Sequence, residues 1–145
     1  MINSIMLIDD EDLFHLVFED ACNILDITLS LEALNSSDEA DAKFKEWFPD
    51  DLNEERPECV FVDLNIIGSS FDGIEMIRKI NYDYGNGCVV GIISSSDDHQ
   101  EIDKAKEAGA QFWIIKSDDI EPRLEEFRKD YEGYKLKKNS FKVYR

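Results

Sequence analysis

The stretch Cys59-Val60-Phe61-Val62-Asp63-Leu64-Asn65 decides the fold. Its first four residues are apolar and β-prone, with no alternation, which is how a strand buried on both faces reads; such strands belong to parallel sheets with helices on each side. An aspartate follows the run directly. The same grammar recurs three times: residues 4–8 run into Asp9-Asp10, residues 88–93 into Ser94-Ser95, and residues 112–115 into Lys116. In a parallel α/β sheet ligands bind at the carboxyl ends of the strands. Four polar strand ends therefore converge on one place, bringing three carboxylates, a hydroxyl and an ammonium together.

Between these strands the pattern alternates. Leu13, Leu16, Val17, Ile24 and Leu25 recur at helical spacing over residues 13–25. Residues 27–34 read as a strand ended by Asn35-Ser36-Ser37, and residues 38–47 as a helix capped by Asp38 or Ser37. Asp12 is the expected cap of the first helix. A polar loop over residues 49–58 precedes the decisive strand. Ile74, Ile77 and Ile80 mark a third helix closed by Gly85-Asn86-Gly87, and residues 99–108 a fourth, with Gly109 where a C′ glycine belongs. Pro122 suits the first turn of a last helix bearing Leu124, Phe127 and Tyr131. The sum is (βα)₅, a doubly wound five-stranded parallel sheet.

Composition bounds the function. The 145 residues suffice for one core, and a 43% hydrophobic content excludes wholesale disorder. A net charge of −17 repels nucleic acid and anionic membranes alike. No apolar run approaches the ~20 residues of a membrane span, and the N-terminus enters a strand without the basic region of a signal peptide. Cys22, Cys59 and Cys88 lack metal or redox spacing and read as reduced, buried thiols of a cytoplasmic protein. His15 and His99 read as ordinary helix residues. Residues 133–145 carry five basic residues and no acid, leaving −22 on the rest (−17 less +5). This division predicts a domain over residues 1–131 and a basic tail over residues 132–145, either solvated or docked on an acidic surface.

Asp9, Asp10 and Asp63 set side by side have a definite chemistry. Two like charges about 4 Å apart repel by about 4 kcal/mol at an effective dielectric of about 20, so the cluster needs raised pKa values or a cation. Mg²⁺, a hard ion taking oxygen ligands, suits it. A carboxylate nucleophile with a metal, a lysine and a hydroxyl can form and stabilise an aspartyl-phosphate.

In this order and on these strand ends the residues resemble the receiver domain of two-component response regulators, of flavodoxin-like fold. The resemblance implies Asp63 as phosphoacceptor, and Asp9 and Asp10 as the acidic pair for Mg²⁺, with a backbone carbonyl from Asn65. It implies Ser94 and Trp113 as switch residues and Lys116 as the partner of the phosphoryl group. Asp72-Gly73 and Ala108-Gly109-Ala110 match further motifs of the family. It also implies a stand-alone regulator: a histidine kinase or phosphotransfer protein as donor, and output to a protein partner through the face of helix 4, strand 5 and helix 5. Three departures stand out. Ile67 replaces the usual proline, the spacing from Asp63 to Asp72 enlarges the loop from Ile66 to Phe71, and Ser117 replaces the proline after Lys116. A non-proline cis bond costs about 2.5–4 kcal/mol, which predicts a trans Lys116–Ser117 peptide. Two other readings compete: a pseudo-receiver adaptor that is never phosphorylated, and a haloacid-dehalogenase-like phosphatase using Asp10 and Asp12 as its DxD pair.

Overall fold

The computed structural model describes residues 2–47, 55–85, 87–117 and 119–145. Most of the expected loop at residues 49–58 and Asn86 of the glycine-flanked turn lie outside the described residues. The strands are β1 (Ile2–Ile8), β2 (Thr28–Leu34), β3 (Cys59–Asp63), β4 (Val89–Ser94), β5 (Phe112–Ile115) and β6 (Lys142–Tyr144). The helices are α1 (Asp12–Leu25), α2 (Ser37–Trp47), α3 (Gly73–Arg78), α4 (His99–Glu107) and α5 (Glu121–Glu132). All pairs are parallel, in the order β2-β1-β3-β4-β5-β6. The five strands read from the sequence form the flavodoxin-like sheet in its doubly wound order, and a sixth strand extends it.

β3 is buried along its whole length, as its unbroken apolar run requires. Alternate residues of the central strands feed two cores. Met6, Val60, Val62, Ile92 and Trp113 face α2, α3 and α4. Leu7, Phe61, Ile93, Phe112 and Ile114 face α1 and α5. On the second side Phe61, Phe112 and Phe127 pack mutually in tilted and edge-to-face contacts with ring centroids 4.8–5.0 Å apart, an arrangement that stabilises beyond simple burial.

α1 corrects the stripe drawn from the sequence. Phe14, Phe18, Ala21 and Cys22 face the sheet, whereas Leu13, Leu16 and Ile24 are exposed. Both stripes have helical spacing, and the aromatic pair wins because it fills more of the core. Two caps also move. Ser36, not Asp38 or Ser37, caps α2, its hydroxyl accepting from the Glu39 N–H at 3.2 Å. Asp12 begins α1 without capping it and accepts instead from the Asn35 amide. Asp98 caps α4 by accepting from Gln100 and Glu101. Gly109 follows Ala108 at φ +99°, the left-handed geometry expected after a helix. α3 runs only six residues before one wider π-turn, Lys79–Asp83.

The basic tail is folded. β6 pairs with β5, placing Lys142, Val143 and Tyr144 opposite Phe112, Trp113 and Ile114. Tyr144 is fully buried against Phe127, and its hydroxyl donates to Asp130 at 2.7 Å. Lys142 pairs with Asp130 and Glu126. The acidic surface on which this part of the tail docks is the protein's own.

Candidate functional site

Two strand ends deliver the three carboxylates. β1 ends immediately before Asp9 and Asp10, and β3 ends on Asp63; one ligand atom of each lies within 4.8 Å of the others. Asp9 is wholly buried and Asp63 nearly so, while Asp10 is half-buried. β5 ends before Lys116, whose ammonium lies 2.7 Å from Asp9 Oδ2 and 3.8 Å from Asp63 Oδ1. The same ammonium sits 4.2 Å above the Phe14 ring, an arrangement that favours a cation. Ser94, the last residue of β4, is buried and accepts a hydrogen bond from the Ser96 N–H at 3.1 Å. The strand register accounts for this convergence: Val62 pairs with Ile8, Asp63 with Ile93 and Ser94 with Ile115.

Local structure fixes the acids. The Glu11 N–H donates to Asp9 Oδ1 at 2.8 Å, and the His15 ring bonds the Asp9 carbonyl at 2.6 Å. His15, read from the sequence as an ordinary helix residue, thus braces the backbone of the acidic pair. No motif announced this; one helical turn between Glu11 and His15 is the only signal. Behind Asp63, Gly73 donates its N–H to the Leu64 carbonyl, and a Cβ there would lie 2.2 Å from the Asp63 carbonyl oxygen. Only glycine fits so near the acceptor. Asp72 caps α3 beside it.

The carboxyl of Asp63 is pushed up to about 7. Burial is the main cause, and the Asp9 and Asp10 charges add to it; Lys116 and a backbone hydrogen bond oppose them. One ammonium only partly neutralises three carboxylates. An all-oxygen donor set carrying excess negative charge fits a hard divalent cation.

The site opens into a cleft of about 420 Å³ that also reaches Asn65, Ser95, Ser117, Leu13, Val17 and Ile67. Ile67 is 82% exposed at its edge. The enlarged loop over residues 66–71 is tied to the start of α2. The Ser37 N–H donates to Ser69 Oγ, Ser37 Oγ donates to the Phe71 carbonyl, and the Ser70 N–H donates to Asp38. That last bond holds the Asp38 carboxyl below its usual range. Trp113 is fully buried, and its indole N–H donates to the Ser96 carbonyl at 3.0 Å. Ser117 accepts from Arg123 at 2.7 Å, so the residue replacing proline is held to α5. Asp10, Asp63, Asn65, Ser94 and Lys116 line the cleft, Asp9 lies behind them on Lys116, and Trp113 reaches Ser94 through Ser96. Asp12 does not join the cluster, since its carboxylate turns to Asn35; the DxD reading loses its second acid.

Several proteins of known structure share this fold. A response regulator from Cytophaga hutchinsonii superposes with a TM-score of 0.76 at 21% identity, over 91% of this chain and 98% of that one. A response regulator from Thermotoga maritima gives a TM-score of 0.69 at 22% identity, over 89% and 97%. The phosphorylated cyanobacterial phytochrome response regulator RcpA gives 0.69 at 20%, over 92% and 94%. No curated protein sequence matches the chain. Among the described residues no helix is long and apolar enough to cross a membrane. The model of the response regulator receiver domain matches residues 5–126, and the chain belongs to that family.

Proposed function

We propose that this protein is a cytoplasmic phosphoacceptor switch that takes a phosphoryl group onto Asp63. The observation that carries the reading is the gathering of Asp9, Asp10, Asp63, Lys116 and Ser94 in one cleft. The donor is the phosphohistidine of a histidine kinase or of a phosphotransfer protein in a phosphorelay. A carboxylate oxygen of Asp63 attacks phosphorus, the P–N bond breaks, and the imidazole leaves with the electron pair. Lys116 meets the charge on the phosphoryl oxygens, and the Ser94 hydroxyl donates to one of them. Asp9, Asp10, Asp63 and the Asn65 carbonyl would hold Mg²⁺, which supplies further charge neutralisation. Asp63 acts as nucleophile only when ionised, so a cation beside it favours the reactive form. The protein assists its own phosphorylation and dephosphorylation and is not otherwise an enzyme. Ser94 and Trp113 carry the change outward to a protein partner, since the strongly negative surface disfavours nucleic acid and membranes.

The test is intact mass after incubation with Mg²⁺ and acetyl phosphate, beside Asp63→Asn. One phosphoryl group gained by the wild type and by none of the variant is the expected result. A wild type that stays unmodified with both acetyl phosphate and a phosphohistidine donor would make it an adaptor instead.

A further inference from the structure

The edge of β5 is where the resemblance places partner docking, yet it is filled. Val143 lies beside Trp113 and, with Phe141, packs on the core shared with α4. Tyr144 points to the other face, onto Phe127 of α5. Three carboxylates rim the groove. Asp130 and Glu126 take Lys142 at 2.7 and 2.9 Å, and Asp97 takes Arg145 at 3.1 Å. A Lys-Val-Tyr-Arg strand therefore satisfies the groove through ladder hydrogen bonds, two apolar pockets and flanking positive charge, the ingredients of strand addition.

This strand is wired to the phosphorylation cleft. Ser96 is the junction: its N–H donates to Ser94 Oγ, and its carbonyl accepts from Trp113. The next residue, Asp97, holds Arg145. When the Ser94 hydroxyl turns to donate to a phosphoryl oxygen, residues 95–97 follow it, and both the Trp113 bond and the Arg145 pair are disturbed. The Asp97–Arg145 pair is exposed and weak, and a three-residue strand at a sheet edge belongs to the least stable part of a fold.

We propose that the groove between α4 and α5 is a strand-binding site with acidic lips, occupied in cis by residues 141–145. Phosphorylation of Asp63 opens it to an extended, basic, aromatic segment of a partner protein. The proposal rests on Asp63 being the phosphoacceptor.

The test uses the full chain with Mg²⁺, with and without acetyl phosphate. Intact mass reads phosphoryl occupancy, and hydrogen exchange reads the amides of Lys142–Tyr144. A labelled peptide copying residues 138–145 is titrated in parallel. Exchange at β6 should rise about tenfold on phosphorylation, as one decade in a local opening equilibrium requires. The peptide should bind the phosphorylated form about tenfold more tightly, and Asp97→Lys with Glu126→Lys, both at exposed positions, should abolish that binding. A phosphorylated protein with unchanged β6 exchange, or one that opens without binding the peptide, overturns the proposal alone. Absence of phosphoryl uptake from both acetyl phosphate and a phosphohistidine donor overturns the acceptor reading and the proposal with it.

Discussion

Asp63 is poised by its surroundings rather than by its own chemistry. Its carboxyl, raised to about 7 chiefly by burial and then by Asp9, keeps a proton that the unfolded chain releases near its ordinary value of about 3.9. Between those two pH values the folded state binds more protons, so this group's contribution to stability is greatest below about pH 4. It declines as the pH rises through 7. Asp63→Asn, a neutral isostere, removes that penalty. In the absence of divalent cations the variant should exceed the wild type by about 2–4 kcal/mol at pH 8, converging toward pH 4. Urea unfolding at several pH values measures this, and a gap that does not change with pH would contradict it. Lys116 contributes the opposite sign, and its closest contact is Asp9 rather than the acceptor. In this state the lysine serves the wholly buried carboxylate, which without it would be an uncompensated charge.

Elements hold the site at distances that side chains alone could not enforce. The close approach of α3 to the end of β3 depends on the missing Cβ of Gly73. Gly73→Ala should destabilise the fold by about 2 kcal/mol or more through backbone displacement, and phosphoryl uptake should fall because the Asp63 carbonyl moves with it. Thermal unfolding and intact mass test both, and an unperturbed variant would remove the packing argument. The strands were legible because an apolar run ending in a polar or charged residue is hard to read otherwise, and β1, β3, β4 and β5 all carry such a run. α1 was legible as a helix but not in rotation: with leucines and phenylalanines at equivalent spacing, periodicity cannot say which stripe meets the sheet. β6 was hidden by composition. Five basic residues mask Phe141, Val143 and Tyr144, and the acids that receive Lys142 and Arg145 sit on other elements, with Asp130 12 residues away and Asp97 48. The brace from His15 depends on a backbone carbonyl, which every residue has, so its one-turn spacing from Glu11 is the whole of its mark on the sequence.

Across the whole molecule, charge sets the balance. A net −17 on a small domain repels itself, and screening should relieve the strain. Raising salt from about 0.01 M to about 0.5 M shortens the screening length severalfold. The melting temperature should rise over that range, and scanning calorimetry would show a flat profile if the ion pairs outweighed the repulsion. The tail contributes to this balance, because Lys142 sits on the acids of α5 and Arg145 on that of the β4–α4 loop. The position of β6 in the sequence also has a consequence in time. All five other strands precede it, so synthesis delivers the sheet before the strand that closes its β5 side. For that interval the nascent chain presents an open hydrogen-bonding edge, the kind that recruits a neighbour's strand. The excess of negative charge already translated keeps neighbouring chains apart until Lys142–Tyr144 arrive, and the strand that ends the exposure brings the positive charge with it.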